Sequence, residues 1–431
     1  MDKNVLRNVI LDQRQVIEEA EICPRSYELE DNVCYVLVGL RRAGKSTLLY
    51  SKVRDYLKEG ISWDQIIYIN FEDERLAEFK SCDFQDILIL KNEMTTKKAF
   101  FFFDEIQNID GWEMFARRLA DSNETVCITG SNSKTLSSEV AAKLGGRYIA
   151  KDILPYDFEE FIKASSIKVD ESTKSKGQIG SKFQEFLKFG GLPAILKFKD
   201  KREYLTSVYE KALLNDVLIH NNIRNEQYMK ILVKKIAESV KDELSFTKLN
   251  NIMKTIGFST SKDTVINYVS FLMNANLIFS VKNYYASFVD KESTPKYYFI
   301  DNGILNLFLN EKEGKLFENL VAVALKRYGK DFYYLKNART SIDIDFYIPD
   351  DDIAIQVATT ISDPNTFERE TNSLIKLANI QNNTRLFILT LDEEKSIDIG
   401  NQRKIEILPL SKVLLNCFKR KDNSFLSIGK L

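Results

Sequence analysis

The chain has 431 residues, and 61 Lys and Arg against 62 Asp and Glu leave a net charge of −1, so no overall basic field draws it to a polyanion and any nucleic-acid site must be local. That length exceeds what one hydrophobic core serves and predicts two or three domains. Apolar stretches such as Ala99 to Phe103 fall far short of the ~20 residues of a membrane span, the first fifteen residues lack a signal-peptide apolar segment, the five cysteines form no C-x-x-C pair and His220 is the single histidine, so a cytoplasmic protein without a membrane partner, zinc ribbon or multi-histidine metal site is expected.

Asn32 to Val38 (NVCYVLV) is a short apolar run rich in β-branched and aromatic residues that stops at Gly39, where the pattern turns into a loop and then a helix. Strand-like runs recur at Ile66 to Phe71, Ala99 to Phe103 and Thr125 to Thr129 between polar helical stretches. That alternation predicts an α/β fold, a parallel sheet covered by helices, over about residues 1–163. From Ala164 to Lys182 the composition turns to Ser, Lys and Gly, which predicts a flexible loop and a helical connector over 164–226. Between Gln227 and Ile300 three helical segments precede two strand-like ones, the order of a winged helix, assigned to 227–310. The remainder, 311–431, opens with the helix LFENLVAVALKRYG and continues into the strands SIDIDFYI and DIAIQVAT, an α+β unit.

Gly39-Leu40-Arg41-Arg42-Ala43-Gly44-Lys45-Ser46 fits the pattern G-x-x-x-x-G-K-[ST] and follows a buried strand and opens a helix, the setting the chemistry requires. The glycines let backbone N–H groups turn inward around phosphate, Lys45 supplies a point charge to the β/γ oxygens, Ser46 can hold Mg²⁺, and the helix dipole adds to them. The next strand ends in Asp104-Glu105. Asp104 is expected to orient Mg²⁺ and Glu105 to polarise the attacking water. Ser131 or Asn132, after the strand TVCIT, stands where a polar side chain reaches the γ-phosphate or the water, or is a turn former. Arg147 either neutralises phosphoryl charge, in cis or from a neighbouring subunit, or is a solvated arginine after the Gly145-Gly146 turn.

The segments GLRRAGKST, YINFEDERL, FFFDEIQNIDGWE, ITGSNSKTL, LGGRY, FGGLP and PKYYFIDNGIL resemble, over nearly the whole chain, the prokaryotic AAA-type ATPases that carry a C-terminal domain of unknown function. The resemblance implies an ATP-binding core of the AAA+ class that uses ATP and Mg²⁺. It implies Gly39, Gly44, Lys45, Ser46 and Thr47 as the Walker A residues, with Arg41, Arg42 and Ala43 inside the loop, and Asp104 and Glu105 as the Walker B pair. Ser131 or Asn132 becomes the sensor and Arg147 a candidate arginine finger or sensor arginine, with oligomerisation as a corollary. FGGLP is a landmark of the family; as bare sequence it reads as a helix stop.

The C-terminal domain of such proteins resembles a PD-(D/E)XK nuclease fold. Here Glu318 lies on the helix, and Asp345 opposes the apolar set Ile342, Ile344, Phe346 and Ile348. On the next strand Gln356 stands where an anionic ligand belongs and Ala358 where the water-positioning lysine belongs, so a degenerate site that does not cut nucleic acid is expected. In the winged helix, Ser261 opens a helix whose Val265, Val269 and Leu272 share one face. Outward it offers Lys262 and Asn267, which either contact DNA or pack on another domain. The expected function is ATP hydrolysis that drives a conformational change in these C-terminal parts. The alternatives are a non-hydrolysing switch for DNA or a protein client and, more remotely, an ATP-regulated nuclease.

Overall fold

The computed structural model describes residues 1–131, 138–170, 172–310 and 313–416. They form two compact units, Met1–Pro155 with Asn274–Asn276, and the rest.

In the first unit five strands, β1 (Cys34–Val38), β2 (Ile66–Asn70), β3 (Phe100–Asp104), β4 (Thr125–Gly130) and β5 (Tyr148–Asp152), form a parallel sheet in the order β2-β3-β4-β1-β5. Helices α1 (Lys3–Glu19), α2 (Lys45–Lys58), α3 (Phe84–Met94), α4 (Trp112–Asp121) and α5 (Ser138–Leu144) accompany it. The two-residue period of a strand sends alternate side chains to opposite faces. Phe101 and Phe103 therefore join the core built with Leu6, Ile87 and Phe115 of α1, α3 and α4, while Phe100 and Phe102 join Leu48, Val53 and Tyr56 of α2. Burial on both faces is why β1 to β4 read as unbroken apolar runs. The expected α/β sheet is present, and α1 adds a helix with Asp2 as N-cap.

The second unit begins with α6 (Phe158–Ala164), α7 (Thr173–Phe189) and α8 (Lys201–Lys211), followed by a π-helix, Ala212–Ile219, that ends at His220. The loop expected over 164–182 is corrected: its second half is α7. Ser172 caps that helix by accepting from Ser175 N, and Phe183 and Phe186 each pack 5.4 Å from Phe158, so a few large rings do what a regular apolar stripe would. The division between units falls after Pro155 rather than at 163.

Next come α9 (Glu226–Glu238), α10 (Phe246–Thr255) and α11 (Lys262–Asn274), then an antiparallel pair, β6 (Ile278–Val281) and β7 (Lys296–Phe299), with α12 (Phe288–Ser293) between them. After α13 (Asn302–Asn306) and α14 (Glu313–Tyr328), strands β8 (Tyr333–Asn337), β9 (Ile342–Ile348), β10 (Ile353–Val357), β11 (Arg385–Thr390), β12 (Lys395–Gly400) and β13 (Arg403–Pro409) form a mixed sheet ordered β12-β13-β11-β10-β9-β8, with α15 (Pro364–Ala378) and α16 (Leu410–Asn416). One alternation expected here fails. The β8–β9 register shifts by a residue beyond Ile344, so Tyr347 joins Ile342 and Ile344 in one core while Phe346 packs on Tyr298 and Phe332.

The FGGLP segment gains a physical role. Gly190 has φ +73° and a Cβ there would lie 2.2 Å from Asp301 Oδ1; a Cβ on Gly191 would lie 2.2 Å from Tyr156 O. The buried Asp301 carboxylate accepts from Gly191 N and Gly303 N, both at 2.8 Å, and burial pushes its pKa up to about 6. Asn302 and Asn306 donate to Leu187 O and Lys188 O. FGGLP and the distant IDNG are thus two halves of one buried polar knot, where only glycine leaves room.

Candidate nucleotide site and a second buried charge cluster

The parallel register pairs Val38 with Gly130 and Phe103 with Ile128, so Gly39, Asp104 and Ser131 leave the sheet together at the C-terminal ends of β1, β3 and β4. That edge is where open α/β sheets bind ligands. A Cβ on Gly39 would lie 2.1 Å from Ile153 O, so the loop passes too close to the neighbouring backbone for any side chain. Gly44, at φ +98°, is the N-cap of α2, and among the described residues no side chain caps that helix, so its first N–H groups point to the loop's concave side. Arg42 takes φ +64° and is exposed, Arg41 reaches Glu72 at 2.5 Å, and Thr47 is half-buried in the first turn of α2.

Lys45 is 4% exposed; its Nζ donates to Gly39 O at 3.0 Å and Leu40 O at 3.3 Å and stands 3.7 Å from Glu105 Oε1. Asp104 is 2% exposed and accepts from Tyr68 Oη at 2.8 Å, from Thr129 Oγ1 and from Ser46. Burial and the adjacent Glu105 charge raise its pKa. Glu105 sits in left-handed backbone at φ +52°, with Thr129 Oγ1 accepting from its N–H. Burial works to raise its pKa, yet Lys45, the Gln107 amide and Arg41 outweigh burial and hold the carboxyl below its usual range, ionised near neutrality. Gln107 Nε2 bridges Glu105 Oε2 at 2.5 Å and Ser131 Oγ at 3.3 Å, linking the expected base to the expected sensor. Asn132 lies outside the described residues. Paired Ser46 and Asp104 oxygens are the hard donors a magnesium ion takes, and Lys45 with the bare helix end suits a polyphosphate, so the residues present fit both groups.

Four residues that sequence reasoning passed over shape this site. Tyr68 and Thr129 hold Asp104, Gln107 holds Glu105, and Arg25 donates to Ala43 O at 2.9 Å and Leu154 O at 2.6 Å, bracing the loop against the chain that follows β5. Their only sequence signal is proximity to the motifs, and Arg25 lacks even that.

Arg147 stands apart from the loop. Register pairs Cys34 with Tyr148 and Val38 with Asp152, which puts Arg147 at the N-terminal edge of the sheet, roughly 20 Å of strand away from Gly39. There it pairs with Asp121, donates to Gly145 O at 3.0 Å, and lines a cleft of about 670 Å³ with Lys98 and Asn123. An arginine in that place serves no nucleotide bound by its own loop.

The second unit holds another buried cluster. Glu318 is fully buried, and its Oε1 accepts from Tyr298 Oη at 2.8 Å. Lys241 Nζ lies 3.2 Å from Glu318 Oε2, and Lys296 Nζ stands between Glu318 at 3.9 Å and Asp345 at 3.8 Å. Burial, then the Asp345 charge, pushes the Glu318 pKa up to about 7. Gln356 Oε1 accepts from Asp345 N and its Nε2 donates to Asp343 O, while Asp345 Oδ2 accepts from Val357 N. Gln356 therefore spends its amide on strand backbone. Among the described residues no three His, Cys, Asp or Glu side chains are grouped to hold a metal ion.

A family model described as an AAA domain matches residues 31–162, and one described as a domain of unknown function (DUF8612) matches 180–315. An uncharacterised protein of Methanocaldococcus jannaschii is 34% identical over 96% of both chains, and an uncharacterised protein of Haemophilus influenzae is 30% identical over 82% of this chain and 88% of its own. A Walker-type ATPase of Pyrococcus abyssi shares 15% identity at TM-score 0.42 over 68% of this chain and 99% of its own; the Aeropyrum pernix Orc1 protein, solved in complex with DNA, shares 13% at TM-score 0.28 over 75% and 94%. No helix among the described residues is long and apolar enough to cross a membrane. With a P-loop at the ends of a parallel sheet, a matching AAA model and a relative aligned nearly end to end, the chain belongs to the same family as the archaeal and bacterial proteins, and its N-terminal part is a P-loop AAA-type ATPase domain.

Proposed function

We propose that the chain binds ATP with Mg²⁺ at Gly39 to Thr47 and hydrolyses it, and that turnover drives a conformational change of its C-terminal parts. The observation that carries the reading is the pair Asp104 and Glu105 on one buried strand end, given different chemistry by different neighbours. Asp104, ringed by hydroxyl donors and joined to Ser46, would hold the metal, which supplies charge neutralisation at the β- and γ-phosphates. Glu105, kept ionised by Lys45 and oriented by Gln107, takes the proton of the water that attacks the γ-phosphorus. A pure nucleotide-holding switch has no need of that second carboxylate. Phosphate release from Mg²⁺-ATP by the full chain, absent in Glu105→Gln, tests the proposal; hydrolysis at the wild-type rate in that variant places the base elsewhere.

Arg147 acts in trans in this reading, from a neighbouring subunit, because its place at the opposite sheet edge denies it the nucleotide of its own chain. Mixing Lys45→Ala subunits, which keep Arg147, with Arg147→Ala subunits, which keep the loop, restores hydrolysis if so. No restoration sinks it.

For the second unit we read α9 to α11 with β6 and β7 as a winged helix and α14 with β8 to β10 as a degenerate nuclease-like domain. Lys262 and Asn267 are exposed on α11, which leaves DNA or a protein client as its partner. Lys296 supports the degenerate reading, since an ammonium already neutralises the carboxylates that a nuclease gives to a metal.

A further inference from the structure

We propose that the segment from Phe189 to Tyr204, around the α7–α8 connection, is a docking surface for single-stranded nucleic acid, separate from α11. The near-zero net charge requires any polyanion site to be a local cluster, and this segment is one. Lys182, Lys188, Lys197, Lys199, Lys201 and Arg202 crowd the 23 residues from Lys182 to Tyr204, in which the acids are Glu185, Asp200 and Glu203, six cations against three acids. Two of the acids are engaged locally: Glu185 pairs with Lys182 at 2.7 Å and Lys201 at 3.3 Å, and Asp200 caps α8 by accepting from Glu203 N at 2.9 Å, while the Glu203 side chain is exposed. Lys188, Lys199 and Arg202 remain exposed.

Aromatic faces stand among these cations. Phe198 is 42% exposed, and its ring stacks on that of the buried Tyr204 with centroids 4.4 Å apart and planes 15° apart. One face is braced and the ring stays accessible, which is how a stacking platform is built. Phe189 is half-buried with Lys188 Nζ 5.2 Å from its ring centroid, and it lines an open cleft of about 510 Å³ with the cations Lys199, Lys201 and Arg202 and the acids Glu185 and Asp200. Cations beside a flat exposed ring suit a phosphate backbone whose bases are free to stack; a duplex keeps its bases stacked on one another, and a chain of acidic side chains alone brings no flat face to the ring. Nothing in the cluster reads base edges, so binding is sequence-tolerant and strongly salt-dependent.

Fluorescence anisotropy of a labelled 20-mer of dT or of rU with the full-length protein, over a salt series, tests the surface. Phe198→Ala is expected to weaken binding roughly ten-fold and Phe198→Tyr to restore it, whereas Lys199→Ala and Arg202→Ala each lower the salt slope by about 0.7. Unchanged melting temperature and ATP hydrolysis confirm that the variants fold. Wild-type affinity in Phe198→Ala together with Lys199→Glu overturns the proposal, as does duplex binding as tight as single-strand binding. Loss confined to Lys262→Ala on α11 transfers the site there and also overturns it, and polyglutamate displacing the 20-mer with no effect of Phe198→Ala makes the surface one for acidic chains instead. Failure of any of these leaves the nucleotide-site reading untouched.

Discussion

In the first unit Lys45 has one carboxylate beside it, Glu105 at 3.7 Å, and two backbone carbonyls behind it; in the second, Lys296 stands between two carboxylates, Glu318 and Asp345. Each site also has a tyrosine hydroxyl donating to a buried carboxylate at 2.8 Å, Tyr68 to Asp104 and Tyr298 to Glu318. The ingredients match and the surroundings differ. Lys45 lies in a glycine loop at an uncapped helix end, where N–H groups add positive potential that asks for an anion. Lys296 has no such loop, and its charge is spent on its neighbours. The same chemical groups make a binding site where backbone donors are left over, and an internal clamp where none are.

The contrast breaks most visibly at Lys45. Lys45→Ala is expected to abolish ATP binding while the fold survives, because it removes the fixed cation at the β/γ-phosphates; wild-type affinity by calorimetry with Mg²⁺ would refute the phosphate role. Next in size, Glu105→Gln keeps nucleotide binding and loses about 10²–10⁴-fold in turnover, whereas Asp104→Asn weakens Mg²⁺-dependent binding. Steady-state rates and calorimetry separate the two. At the clamp, Lys296→Met is expected to cost about 3 kcal/mol in urea unfolding, since it removes the ammonium shared by the buried Glu318 and the half-buried Asp345 and leaves Glu318 with Lys241 alone. Adding Glu318→Gln recovers part of the loss, and strict additivity of the two changes rules out the clamp.

A smaller effect is pH-dependent. Glu318 is raised in the folded state above its unfolded value, so its contribution is fully present below about pH 4.5 and is lost as pH rises through about 7. Wild type minus Glu318→Gln, followed by urea midpoints from pH 4 to 8, is expected to fall with pH; a flat difference contradicts the raised pKa. The last expectation is a null effect: with Mg²⁺ or Mn²⁺ the full chain leaves single-stranded, duplex and structured DNA or RNA uncut. Cleavage that vanishes in Asp345→Ala would promote the second cluster from clamp to active site.

What the sequence made legible follows from how locally each feature is encoded. The loop, Asp104 and Glu105 are runs of consecutive residues next to apolar strands, so motif and setting sit in one window. Lys241 and Lys296 reach Glu318 from 77 and 22 residues away, and no spacing rule announces a contact made by tertiary packing. The place of Arg147 depends on how β5 registers with β1, which residue types do not state. Helix α7 was hidden because its first ten residues are almost wholly polar or glycine, and its anchor is three large apolar residues, Phe183, Phe186 and Leu187. The face of Phe346 was misread because a one-residue register shift inverts a two-residue period.

Strand β3, which carries Asp104, consists otherwise of four consecutive phenylalanines, buried on both faces and flanked by β2 and β4. In the native sheet those rings are spent on two cores. In an unfolded chain they become a short, uncharged, strongly β-forming segment of the kind that pairs with copies of itself. The strand that positions the carboxylate proposed to hold the metal is therefore also where chains self-associate once opened, so heat inactivation becomes irreversible and its rate of recovery on cooling falls as protein concentration rises.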